Sequence, residues 1–264
     1  MNDLFKIAQY CLHQTLVEDK LEQTHRAWQA HLNGTLTLSA DAAPLPIADT
    51  RFPERPLLLP PRQMPRRTLN TPGGVVAFFH ALAHIEFIAI YLAWDIIYRF
   101  RGLPDSFYRD WLRVADEEAQ HFSLIRAHLL TLGSDYGALP AHGGLWDHAL
   151  QTADDLLSRL AIVPRCMEAR GLDVTPAMID KFKAMKDPAS TAILTRILHD
   201  EIGHVQLGSK WFNYLCAQQS VNPDEKYKQL ITEFYPGKPR GPFNRKMRII
   251  AGFSNAELDW LENA

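Results

Sequence analysis

Two copies of one pattern constrain this chain more than anything else in it. Glu118-x-x-His121 follows the lone Glu86 by 32 residues, and Glu201-x-x-His204 follows the lone Glu168 by 33. Positions i and i+3 share one face of an α-helix, so each Glu-x-x-His pair can aim a carboxylate and an imidazole at one point. The order Glu, Glu-x-x-His, Glu, Glu-x-x-His is the ligand set of a carboxylate-bridged di-metal site in a four-helix bundle. The expected metal ligands are therefore Glu86, Glu118, His121, Glu168, Glu201 and His204. Four carboxylates with two imidazoles suit two iron ions, with manganese or a mixed Mn/Fe pair as the alternative. They do not suit a structural zinc, which takes four ligands rich in sulfur and nitrogen.

The motif alone is cheap, and the chain carries its own control. A third copy, Glu22-x-x-His25, has Thr15, Glu18 and Arg26 around it at helical spacing, which is a solvated face. Around Glu118 lie Trp111, Val114, Phe122 and Ile125, and around Glu201 lie Leu194, Ile197, Val205 and Gly208. Glu86 sits among Phe79, Leu82, Ala83, Ile90 and Ala93, while Leu157, Leu160 and Ala161 precede Glu168. A carboxylate in an apolar stripe must be paired, protonated or metal-bound, because burying it bare costs several kcal/mol.

The remaining composition excludes more than it selects. At 264 residues the chain can bury a large core. A net charge of −2 gives no global pull toward nucleic acid or an anionic membrane. Cys11, Cys166 and Cys216 are odd in number and have no ligand-like spacing, which favours a reduced cytoplasmic setting over a disulfide framework. The early acidic residues do not read as a signal peptide, and the most apolar run, Phe87 to Tyr98, is interrupted by Asp95 and short for a bilayer span. No membrane association is expected.

Periodicity and punctuation predict an all-α chain. A helical segment over 3–31 ends at Asn33-Gly34, and a proline-rich strap follows to residue 71, with Leu57-Leu58-Leu59 as apolar anchors. Thr71-Pro72 opens a helix to about Phe100, and Asp105 is placed to cap the next, which runs to Leu132. A third helix is expected over 145–170, kinked or reset by Pro164, then a short helix over 176–186 and a long one over 189–218. Helices at 223–234 and 254–262 complete the chain. The expected domains are 1–71 (helix and strap), 72–218 (the metal-binding bundle) and 219–264 (an accessory segment).

Several other residues draw notice. His80, His84 and His199 read as packed or solvated rather than ligating, and Cys166 as packing. Gly203 lies between Glu201 and His204, where it either opens space beside the metals or allows close helix packing. Tyr91, Tyr98 and Tyr108 are redox or hydrogen-bonding candidates that nothing ranks. The segment 236–248 holds Lys238, Arg240, Arg245, Lys246 and Arg248 without an acid. It reads as a basic tail packed over the bundle with exposed cations, and a phosphate- or nucleic-acid-binding strip is the alternative.

The blocks "HALAHIEFIAIYLAWD", "DWLRVADEEAQHFSLI", "MEARGLD", "ILHDEIGHVQLGSKWF" and "KPRGPFNRKMRIIAGFS" resemble a bacterial ferritin-like di-iron carboxylate family of undetermined function. The resemblance implies a ferritin-like four-helix bundle and the same six ligands. By likeness to di-iron oxygenases it also implies that Glu117 contacts His204 and Asp200 contacts His121, fixing each imidazole's tautomer. More distantly, the architecture is similar to a tRNA hydroxylase acting on an isopentenyl-adenosine. From Asp-Glu-x-Arg-His hydroxylases this chain departs at Gln120 and Gly203, which stand at the arginine position, and at Glu117.

The leading functional expectation is an oxygen-dependent oxidase or monooxygenase fed by an external electron donor, with a small-molecule or modified-tRNA substrate. Iron binding with ferroxidase activity and a metal-stabilised scaffold without catalysis are the alternatives. No residue stands out as catalytic beyond the ligands, and a homodimer is compatible with the pattern.

Overall fold

The computed structural model describes residues 2–39, 43–64, 68–235, 237 and 239–263. Pro65 of the strap, and Pro236 and Lys238 of the basic segment, lie outside the described residues. Helices dominate, and among the described residues only two isolated β-bridges occur, Asp3 with Thr37 and Leu58 with Ala141. The chain divides into two compact units, residues 1–150 and 151–264.

The first unit is built around one unusually apolar helix. Thr71 caps it as the sequence predicts, its hydroxyl accepting from the Gly74 N–H at 3.1 Å, and Pro72 occupies the first turn. The helix, α3, spans Pro72–Arg99, and every residue from Glu86 to Tyr98 is buried. By length and hydropathy it could cross a membrane, which corrects the expectation of a run too short to do so. From Glu86 to Tyr98 it is buried all round, as a core helix is. Phe100 ends it, and Gly102 turns the chain with φ +73°. Helix α4, Asp105–Thr131, then returns beside it. Pro104 holds the cap position expected of Asp105, which instead supplies an acid to the first turn. So short a link forces an antiparallel pair, and pairing Arg99 with Asp105 sets Glu86 level with Glu118.

The expected N-terminal helix is two. Helix α1, Leu4–His13, is capped by Asp3, and α2 spans Val17–Leu32. Between them the Gln14 side chain accepts from the Leu16 N–H at 2.8 Å, a local bond that competes with helix continuation. Helix α1 packs on α3 and α2 on α4. The buried stripe of α2 is Lys20, Thr24 and Ala27. Thr24 accepts from the Trp94 indole at 2.9 Å. Lys20 donates to the Cys11 carbonyl and lies 3.6 Å from the centroid of the Tyr91 ring.

The strap crosses this unit with little secondary structure, held by backbone bonds rather than by its leucines. The Leu45 N–H donates to the Tyr98 hydroxyl (3.1 Å), and the Tyr91 hydroxyl donates to the Arg51 carbonyl (2.9 Å). Leu59 N–H and Ala141 N–H donate to the Ala141 and Leu57 carbonyls at 2.8 and 3.0 Å. Leu57 and Leu58 are exposed, contrary to their expected role as anchors. Phe52 takes that role, its ring 4.6 Å from Tyr91 and 5.2 Å from Trp146 of the short helix α5, Gly144–Gln151.

The expected third helix is interrupted. After α5, Asp155 accepts from the Ser158 N–H at 2.8 Å and starts α6, Leu156–Ile162. A π-helical segment, Val163–Glu168, carries Pro164, and α7 continues as Ala169–Ala184. The proline thus resets the register as expected. The short helix expected at 176–186 is absorbed into α7, with Pro176 inside it. Asp187 caps α8, Pro188–Gln218, through the Ser190 N–H at 3.0 Å. Helices α9 (Pro223–Phe234), α10 (Arg245–Ile250) and α11 (Asn255–Glu262) follow.

Helix α10 was not expected, and it consumes the basic segment. Arg248 is buried and paired with Asp173 at 2.7 Å, while Arg245 reaches Asp259 and Glu262, each at 2.7 Å. Arg240 and Lys246 stay exposed. The expectation of a tail with its cations free therefore fails at its two arginines on α10.

Lys20 makes the first unit's stability depend on pH. Burial holds its ammonium well below the usual lysine range, at about 7, although nearby Cys11 pulls it upward. Between that value and the ordinary 10.5 the unfolded chain binds the extra proton, so stability should rise with pH. Buried Cys11, raised to about 12 from 9.0, acts in the opposite sense above pH 9. Urea unfolding at pH 7, 8 and 9 should show rising stability in the wild type and a flatter profile in Lys20→Met. An equal slope in both would remove Lys20 as its origin.

Candidate metal centre

Level pairing of α3 with α4 brings three predicted ligands together. His121 Nδ1 lies 3.2 Å from Glu86 Oε2 and 3.5 Å from Glu118 Oε2. One donor atom from each of the three lies within 4.8 Å of the others, and all three side chains are buried, at most 3% exposed. Two carboxylates and an imidazole converging from two helices form a donor set for a divalent cation such as iron or manganese. The cluster can therefore hold a metal ion, and the donor chemistry alone does not fix which one.

The second unit carries the second Glu-x-x-His pair. Glu201 and His204 stand one turn apart on α8, with His204 Nδ1 3.5 Å from Glu201 Oε1; His204 is buried and the Glu201 side chain is 12% exposed. Gly208 lies on the same face, four residues beyond His204 and seven beyond Glu201. There the π segment packs against α8: a Cβ at Gly208 would stand 2.6 Å from Pro164 Cβ. The hairpin that turns through 185–187 pairs residue 184 with 188, and Pro164 against Gly208 keeps that pairing. Glu168, the last residue of the π segment, is thereby set level with His204.

Glu117 lies 3.7 Å from Arg113, and Asp200 takes a 2.6 Å bond from Arg196, each on its own helix. Neither pairing tests the roles expected of these acids. A Cβ at Gly203 would meet nothing of its own unit within 4 Å, so close packing there does not require glycine. Glu22 is exposed and paired with Arg26 at 2.5 Å, as a solvated face should be. Its partner His25 instead approaches Asp116 at 3.2 Å, a contact with no sequence signal.

His80 and His84 bond to the loop that follows α4. His80 Nε2 accepts from the N–H groups of Gly137 and Leu139 at 3.0 and 3.3 Å, which requires that nitrogen to be unprotonated. His84 Nδ1 lies 3.0 Å from the Tyr136 hydroxyl. Burial, with His142 and His80 nearby, pushes its ring down to about 4. His199 is exposed. The three tyrosines tie down loops: Tyr91 and Tyr98 hold the strap, and Tyr108 donates to the Phe100 carbonyl at 3.1 Å. Cys166 is buried and free, its thiol pushed up to about 12 by burial.

Sequence reasoning missed the ion pairs that brace the second unit. Arg165 forms a two-pronged bond to Glu257 (2.9 and 2.8 Å), and Arg248 is bonded to Asp173. Pairs separated by 75 to 92 residues leave no periodic trace. The one available hint was that Arg165 sits between apolar neighbours beside Pro164.

Fold and site together define an all-helical protein with a buried carboxylate–histidine cluster able to bind metal. The chain belongs to the family described as protein of unknown function (DUF455), whose model matches residues 13–259. It is similar to an uncharacterized protein of Haemophilus influenzae, with 45% identity over 217 residues, covering 80% of this chain and 75% of that one. No solved structure matches.

His80 separates structural histidines from ligands. His80→Leu should leave the Gly137 and Leu139 N–H groups without their acceptor and cost about 1–3 kcal/mol in urea unfolding. Metal content should stay at the wild-type value; a drop to zero in folded protein would make His80 part of the centre.

Proposed function

We propose that this protein is a ferritin-like di-metal carboxylate oxidoreductase, an oxygen-dependent oxidase or monooxygenase acting in the cytoplasm. The observation that supports it is the buried Glu86–Glu118–His121 trio, whose donor atoms converge without a lysine or arginine among them. Glu168, Glu201 and His204 supply the matching set, and the six residues together would hold two irons, or manganese in place of one or both. Such a pair, when bound, activates dioxygen with electrons from an external donor.

The protein's own part is to hold and orient. Helix pairing fixes where each carboxylate stands, and burial of Glu86, Glu118, His121 and His204 keeps bulk water from competing for the metals. Glu117 and Asp200 are proposed to take the second ring N–H of a ligand histidine each, which fixes its tautomer. A small molecule suits the site better than a tRNA, because Arg245 and Arg248 are already engaged by acids of their own unit.

Purified protein, or protein loaded anaerobically with ferrous iron, should contain about two metal ions per chain. Glu118→Ala combined with Glu201→Ala should lose them while circular dichroism shows the helices retained. A wild-type protein that takes up no metal would sink the proposal. The reduced, iron-loaded protein should also consume oxygen with a chemical electron donor. Bound metal without oxygen uptake would leave a metal-stabilised scaffold as the function.

A further inference from the structure

The C-terminal helices do more than cover the second unit. We infer that Arg165, Gly208, Tyr227 and Glu257 form a clamp that sets the π segment and so positions Glu168 for metal binding. The inference rests on the proposal above that Glu168 is a ligand, and goes beyond it by assigning these four residues a role.

Four independent contacts converge on six residues of chain. Gly208 admits Pro164: an added Cβ would stand 2.6 and 2.7 Å from the ring's Cβ and Cγ, atoms that cannot swing aside. Arg165 is fully buried, bonded through Nη2 to both oxygens of Glu257 and through Nε to Ser209 Oγ at 3.2 Å. Its guanidinium lies 4.5 Å from the ring centroids of Phe212 and Tyr227 and 4.8 Å from that of Phe253. The Tyr227 hydroxyl donates to the Arg165 carbonyl at 3.2 Å. Gly252, with φ +90°, brings the turn before α11 so close that an added Cβ would stand 2.8 Å from Ser209 Cβ.

A π turn is a costly local conformation that persists where its surroundings over-determine it, and such turns recur at functional sites. Here it ends on Glu168, level with His204. A buried ion pair contributes little net stability, because desolvation offsets the attraction. Its better-attested use is to select one register among several, which is what delivery of a carboxylate to a fixed point requires. Arg165, Tyr227 and Glu257 touch no metal in this scheme and act through the backbone of the π segment, so they are positioning residues.

The test uses the full chain and Mn(II) alone, read by equilibrium binding and by the electron paramagnetic resonance spectrum of the bound ions. Wild type should bind a coupled manganese pair, and Glu168→Ala should lose the coupling. Gly208→Ala and Tyr227→Phe should keep wild-type helicity yet bind the second ion about 10–100-fold more weakly, with an altered spectrum. Ile231→Val, a mild trimming of the same unit's core, should lower the melting temperature and leave the spectrum unchanged. If Gly208→Ala does not fold, Tyr227→Phe decides, since it removes one hydroxyl. Wild-type binding and spectrum in both folded variants would overturn the clamp while leaving the di-metal proposal standing. Failure of wild type to bind, or of Glu168→Ala to change anything, would remove Glu168 from the centre and the clamp with it.

Discussion

Short links between long antiparallel helices govern nearly everything else here. The link from Phe100 to Pro104 sets which residue of α3 faces which residue of α4, and it sets Glu86 level with Glu118. The 185–187 turn does the same for α7 and α8. Glu86 and Glu118, 32 residues apart in the chain, become neighbours because the intervening residues are two helical arms and a turn. The separations therefore record arm length, which makes them more informative than the Glu-x-x-His motif itself.

That geometry also explains what the amino-acid order revealed. The helix pair holding Glu86, Glu118 and His121 was legible because each signal was local: Thr71-Pro72 at the start, an apolar face throughout, glycine and proline at the turn. The Glu22 control was legible for the opposite reason, since its polar neighbours at helical spacing announce solvent. Breaks were harder. Gln14 ends α1 by a side-chain bond to a backbone two residues on, and Asp155 begins α6 by one to a backbone three residues on. Either residue would be unremarkable inside a helix. Helix α10 was hidden by its charge, because the five basic residues of segment 236–248 read as a solvated tail until Asp173, Asp259 and Glu262 are seen to meet two of them.

The two units solve the problem of buried charge differently. In the first, burial away from water and from any acid pushes the Lys20 ammonium down to about 7, and only a tyrosine ring and a backbone carbonyl face it. In the second, Arg165 and Arg248 keep their charge and meet carboxylates and aromatic faces. A lysine can shed its proton where an arginine cannot, which suits the first to a site without an acid and the second to sites with one. The tyrosines fit the same economy. Buried hydroxyls that might have suggested redox chemistry are used to satisfy backbone groups of the strap and of the loop after α3.

Distance along the chain orders the contacts of the two units in time. His121 meets Glu86 across 35 residues, so that cluster can close as soon as one hairpin has left the ribosome. Arg165 waits for a partner 92 residues later, in the last helix. During synthesis one set of carboxylates can be in place while the turn bearing Glu168 still lacks its brace. A chain that has not yet made its last helix holds the π segment without the Glu257 carboxylate that meets Arg165.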